Sequence, residues 1–280
     1  MTARTIFIIG LGLALAGCAA MQPPNANSLG NNQSLYPVIV AESVQRIESV
    51  NAAWAQINAQ QGVNAKSQIE LQPITSTIRE FPQNFTGPLY LPKVGESAQM
   101  NDEERRESLR RFLNEWKTVL GIDPAQLTLI NDAPTAGGAR TAVYEQRPFT
   151  YPLRGPYGKV EVSFTEDRRI LNVKSTAIPD TTKIQAVLIT VARQIRGLDV
   201  NAKIAGQVVK YNDASGLHTF TIEPPIQATP QQLVVLALES PQKLGTLEFH
   251  LVWEMSLTNG PVGVIYFDIL KNEVIATQPL

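Results

Sequence analysis

The chain has 280 residues, of which 44% are apolar and 18% charged, and its 24 basic and 25 acidic side chains leave a formal net charge of −1. That near neutrality argues against the basic surface that nucleic acid requires and against a purely electrostatic grip on anionic lipid. A single cysteine excludes a disulfide framework within the chain, and two histidines leave little material for a zinc site.

Residues 1–17 read as a signal peptide: Arg4 stands ahead of the apolar run Ile6–Gly17, which is too short to span a bilayer. The run closes on LAGC, Leu15–Cys18, which resembles a bacterial lipobox. The resemblance implies that Cys18 becomes the first mature residue and the site of lipid attachment. Ordinary cleavage after Ala20 is the alternative. Each buried methylene of an acyl chain adds about 0.8 kcal/mol, so the several chains usual in such lipoproteins would hold the protein firmly on a membrane. Ala19 and Ala20, with no aspartate, resemble the signal that forwards lipoproteins to the outer membrane. The expected location is therefore the cell envelope, on the periplasmic face of the outer membrane.

Residues 18–35 are rich in Asn, Pro, Gly and Ser and are expected to form a flexible tether. Residues 36–68 are expected to hold an amphipathic helix, with Val40, Val44, Ile47, Trp54 and Ile57 at helical spacing and Gly62 as its stop. Ile69–Val94 reads as extended chain broken by Pro73, Pro82 and Pro88. A second helix is predicted from Asn101, with Glu104 at the capping-box position and Leu109, Phe112, Leu113, Trp116, Val119 and Leu120 as its apolar stripe. Its acidic start and basic RRESLRR run are accounted for by capping and charge pairs along the helix, without a ligand.

TAVYEQRPF and GKVEVSFTEDRRILNVKS then read as strands, the second folding back at Glu166–Arg168. The plan repeats from Asp180, a predicted cap for a helix with Ile184, Val187, Leu188, Val191 and Ile195 inward and Gly197 beyond its end. VVKYND, GLHTFTIE, LVVLAL and LEFHLVWEMSL follow as strands. In the last, Leu247, Phe249, Leu251, Trp253, Met255 and Leu257 face a core, while Glu248, His250, Glu254 and Ser256 face water. Asn259-Gly260 turns the chain into a final hairpin. Phe164 in VSFTEDRRIL and Phe267 in IYFDILKNEVI hold corresponding places, which suggests a tandem duplication.

FTGPLYL at Phe85–Leu91, VLGI at Val119–Ile122, YEQ at Tyr144–Gln146, Pro152 and VEV at Val160–Val162 are together similar to the FTP prosegment domain of fungalysins and thermolysins. The C-terminal part resembles the companion PepSY domain, whose hairpin pattern is matched by Asp268, Asn272, Glu273 and Val274. The resemblance implies an α+β fold of two tandem small domains, 69–179 (FTP-like) and 180–280 (PepSY-like), each an antiparallel β-sheet packed on one α-helix and preceded by the N-terminal amphipathic helix. It also implies a role in assisting or inhibiting a peptidase. A thermolysin-like enzyme would need HExxH, which is absent, as are GxSxG and the P-loop pattern. His218 and His250 lie far apart in predicted strands and are expected to be solvated, and AGGAR, Ala136–Arg140, reads as a loop. No catalytic, metal or cofactor site is expected. The expected function is a non-catalytic, membrane-anchored protein-binding module, with a peptidase or another envelope protein as partner; a structural or assembly lipoprotein is the alternative.

Overall fold

The computed structural model describes residues 35–62, 68–81, 88–96 and 99–279. The signal peptide, Cys18, the tether up to residue 34, Pro82 and the Phe85–Gly87 part of the FTGPLYL motif lie outside the described residues. Residues 35–280 form a single compact unit of α+β type.

The chain first runs as strand β1 (Val38–Ala41) and only then as helix α1 (Val44–Gln60). The expected helical stripe therefore starts too early. VIVA is a β-branched run suited to an extended chain, and Ser43 stops the helix by accepting the Arg46 N–H on its hydroxyl. Val44 is 70% exposed, and the buried side of α1 is Val50, Trp54, Ile57 and Asn58.

Two short strands follow, β2 (Glu70–Leu71) and β3 (Ile78–Glu80), and then helix α2 (Asp102–Glu115). Its capping box is complete: Asn101 Oδ1 accepts the N–H groups of Glu103 and Glu104 at 3.0 and 2.9 Å, while the Glu104 carboxylate accepts the Asn101 N–H at 3.0 Å. The chain breaks at Trp116 and continues as α3 (Lys117–Leu120), which Gly121 ends at φ 70°, a left-handed conformation suited to glycine. All six predicted stripe residues, Leu109 to Leu120, are buried.

A four-stranded antiparallel meander completes this half, from β4 (Leu127–Pro134), β5 (Ala139–Gln146), β7 (Lys159–Thr165) and β8 (Ile170–Ser175). Between β5 and β7 the chain makes a two-residue strand, β6 (Leu153–Arg154), that joins a different sheet. The core over the meander takes side chains from α1, α2 and α3 together, with Trp54 and Trp116 edge to face at 5.8 Å. The predicted N-terminal helix and the predicted Asn101 helix both supply this core, the second of them broken at Trp116 into α2 and α3.

The second half opens with α4 (Thr181–Ile195) and α5 (Val200–Ile204). Asp180 does not cap α4 as expected: it sits at φ 54° and its side chain makes no capping bond. The hairpin of β9 (Val208–Asp213) and β10 (Gly216–Thr221) stands apart from the large sheet, whose main strands are β11 (Gln227–Glu239), β12 (Thr246–Thr258), β13 (Val264–Asp268) and β14 (Glu273–Gln278). Ile184, Leu188, Val191 and Ile195 of α4 pack on one face of that sheet.

The large sheet also takes two strands from before residue 180. β6 lies parallel to β11, with Leu153 opposite Val235, and β1 lies antiparallel to β12, from Val38 opposite Phe249 to Ala41 opposite Thr246. The sheet is thus not purely antiparallel. Residues 38–60 put their strand in the second sheet and their helix in the first core.

The suspected repeat has a structural counterpart. Phe164 and Phe267 are both fully buried, each directly follows a β-bulge, and each strand turns back through a non-glycine residue at positive φ, Arg168 and Asn272. Trp253, expected to be buried, is only half-buried at the margin of the second core, whereas Phe249 is completely enclosed. Phe249→Ala is accordingly expected to cost about 3–5 kcal/mol and Trp253→Ala less, about 1–3 kcal/mol. Denaturant unfolding of the two variants checks the order.

Candidate functional site

Strand β12 has neighbours on both edges, and the face predicted to be wet is covered at His250 and half-covered at Glu248, Glu254 and Ser256. Val234 and Leu236 of β11, Val252 of β12 and Tyr266 of β13 make a small third core on that side. His250, paired in register with Leu236, lies within it with only 3% of its side chain accessible. The expectation of a solvated His250 is therefore overturned. Strict alternation marked a polar face, but a strand in the middle of a wide sheet can be covered on both sides.

A buried polar residue must find partners, and His250 finds two carboxylates. Its Nδ1 lies 3.0 Å from Asp268 Oδ2 and its Nε2 lies 3.1 Å from Glu248 Oε2. Asp268 is completely buried at the end of β13. Its Oδ2 also accepts the Tyr36 hydroxyl at 2.7 Å, and its Oδ1 accepts the Leu270 and Lys271 N–H groups, each at 3.1 Å. Those four donors fill the capacity of a carboxylate. Glu248 Oε1 accepts the Ser240 hydroxyl at 2.5 Å, closing the chain of contacts at its other end.

Tyr36 has a second task. On one edge of β12, β1 pairs with residues 246–249 and β13 with residues 253–256. In the gap between them the Leu251 N–H donates to the Tyr36 hydroxyl at 3.0 Å. A side chain from just before β1 thus stands in for a missing ladder partner, and its ring meets His250 edge-on at 5.8 Å. The sequence reading passed over Tyr36, Asp268 aside from its hairpin pattern, and Ser240. Nothing in local spacing could have joined residues 36, 240 and 268.

The electrostatics follow from the contacts. Burial and the neighbouring Asp268 push the Tyr36 hydroxyl well above the ordinary tyrosine range, so it remains a donor. Burial alone would raise the Glu248 carboxyl, but the Ser240 hydroxyl, His250 and the Lys271 charge outweigh it and hold the group below its ordinary value. A depressed carboxyl contributes stability above its unfolded value, about 4.3, and that contribution is lost as pH falls through the folded value. Glu248→Gln is expected to destabilise by about 1–3 kcal/mol at pH 7, with the gap to wild type narrowing below about pH 4. Unfolding curves across pH 3–8 measure it.

The other histidine does not join this cluster. His218 is on the exposed β10, with Nε2 2.8 Å from Ser215 Oγ and 3.1 Å from Asp213 Oδ1. A Ser-His-Asp relay needs the serine and aspartate on opposite ring nitrogens; here both meet the same one, and Asp213 also accepts the Ser215 N–H and O–H. This is the polar tip of a hairpin. Cys18 lies outside the described residues.

The carboxylates of Glu248 and Asp268 stand at opposite nitrogens of one ring, so they cannot share an ion with it; among the described residues no group of His, Cys, Asp or Glu is arranged to hold a metal. A cavity of about 390 Å³ beside β6 is lined by Phe149, Tyr151, Arg147 and Arg154. Its arginines are engaged, Arg147 by Glu145 at 3.4 Å and Arg154 by both oxygens of Glu254 at 2.9 and 3.2 Å. Comparison with protein-family models gives no match, and comparison with curated proteins gives no significant one.

Proposed function

We propose that the chain is a membrane-anchored envelope lipoprotein, attached through Cys18 and carrying FTP-like and PepSY-like modules that bind another protein without catalysing a reaction. The partner class that fits the prosegment resemblance is a secreted or periplasmic peptidase, inhibited or assisted in folding. The anchor belongs on the periplasmic face of the outer membrane, and neither cofactor nor nucleic acid enters the reading. In the two-module description, β6 extends the sheet of the second module from residues of the first, and β1 extends it from the N-terminal segment that precedes both.

The observation that carries the non-catalytic reading is the closed hydrogen-bonding of the buried cluster. Tyr36, Asp268, His250, Glu248 and Ser240 spend their donors and acceptors on one another and on backbone, which suits a fold-holding network. The test is affinity capture from detergent-solubilised envelopes with a tag at Leu280, followed by assay of any captured peptidase with the purified protein. A peptidase that copurifies and is slowed supports the proposal. Recovery of structural envelope proteins alone would replace it with an assembly role.

A further inference from the structure

We infer that His250 is a proton-dependent lock on strand β1. One of the two carboxylates that face its ring, Asp268, also governs the seat of that strand. Glu248 is directly opposite Ile39 in the β1–β12 ladder, and Asp268 receives the Tyr36 hydroxyl on the same oxygen that faces His250 Nδ1. A ring between two carboxylate oxygens satisfies both only when both nitrogens carry protons. The groups around it come from every neighbouring element: Tyr36 before β1, Ser240 beyond β11, Glu248 beside it on β12, Asp268 on β13, and Lys271 in the following turn acting through Glu248.

When the ring gives up one proton, a nitrogen lone pair faces a carboxylate and one charge-assisted hydrogen bond is lost. Where the lost proton is the one on Nδ1, Asp268 must then move, and that movement disturbs the acceptor of the Tyr36 hydroxyl beside β1. The strand is short: its ladder spans only Val38–Ala41, Val38 and Val40 pack on the second core, and Ile39 is 54% exposed. Opening uncovers the β12 edge at residues 246–249 and leaves the Leu251 N–H without its acceptor. Protection of β1 is therefore greatest at intermediate pH. It declines upward as His250 deprotonates, and downward as the carboxylates take up protons.

The test is hydrogen exchange of the full-length chain in detergent, followed in peptides covering residues 35–42 from pH 4 to 9 and corrected for intrinsic exchange. Nitrogen-15 shifts of the two labelled histidines, assigned with His218→Gln, report ring protonation. The expected result is two ring protons on His250 at the protection maximum and about tenfold lower protection once one is lost, as fits one charge-assisted bond. Tyr36→Phe leaves the ring cluster and removes the link to β1, so it should lower protection and flatten its pH dependence; His250→Gln should do the same. A neutral His250 at the maximum, or an unchanged pH profile in Tyr36→Phe, overturns the inference.

Discussion

Asp268→Ala is expected to cost about 3–5 kcal/mol, the range for breaking a buried charged network from one side. The carboxylate has no exposure and satisfies four donors at once: the Tyr36 hydroxyl, His250 Nδ1 and two backbone N–H groups of the β13–β14 turn. Alanine leaves all four inside or beside the sheet without an acceptor, and water has little access to replace it. Asp268→Asn should be milder at the turn, where the amide oxygen can still accept, yet its amide N–H₂ would face the donors Tyr36 and His250. Urea or guanidinium unfolding of the three proteins provides the measurement. A loss below about 1 kcal/mol for the alanine variant would mean that the network contributes little to stability.

Cys18→Ser is expected to move the protein from the membrane pellet to the soluble fraction, or to leave it as an unprocessed precursor of larger mass. On the proposed lipoprotein reading the argument is chemical: serine cannot form the thioether that would carry the lipid, and a near-neutral domain has little electrostatic hold to substitute for it. Among the described residues no helix is long and apolar enough to cross a membrane. Fractionation together with labelled-lipid incorporation checks the outcome. Unchanged lipid labelling and mature size in the serine variant would remove the lipoprotein reading.

The local elements were readable where a residue's neighbours in sequence are also its neighbours in space. Leu109 to Leu120 follow the helical period and are buried, as are Ile184, Leu188, Val191 and Ile195, with Val187 of the same stripe only partly buried. Val160, Val162 and Phe164 alternate along β7 and are fully enclosed. The misreadings have a common origin in distant partners. Val40 looked helical because Val44 and Ile47 follow at the right spacing, but its strand is completed by Leu247. β6 is two residues long and exists only because β11 lies alongside it. His250 and Glu248 looked like a wet face because the pattern of β12 records polarity, while the burial of His250 involves Leu236 opposite it and the Tyr36 ring beside it. The network therefore could not be read from β12 alone: its members come from four separate stretches of chain.

Tyr36 and Leu251 are 215 positions apart, and that separation has a consequence for how the molecule is made. Synthesis proceeds at about 5–20 residues per second, so β1 waits roughly 10–40 seconds before β12 exists. During that interval it has no other strand to join, although α1 beside it can already settle on the first core. Contacts of such long range slow the search for the native topology. The N-terminal strand should consequently be among the last pieces to dock, and refolding probed at Tyr36 should lag behind refolding probed at Trp116.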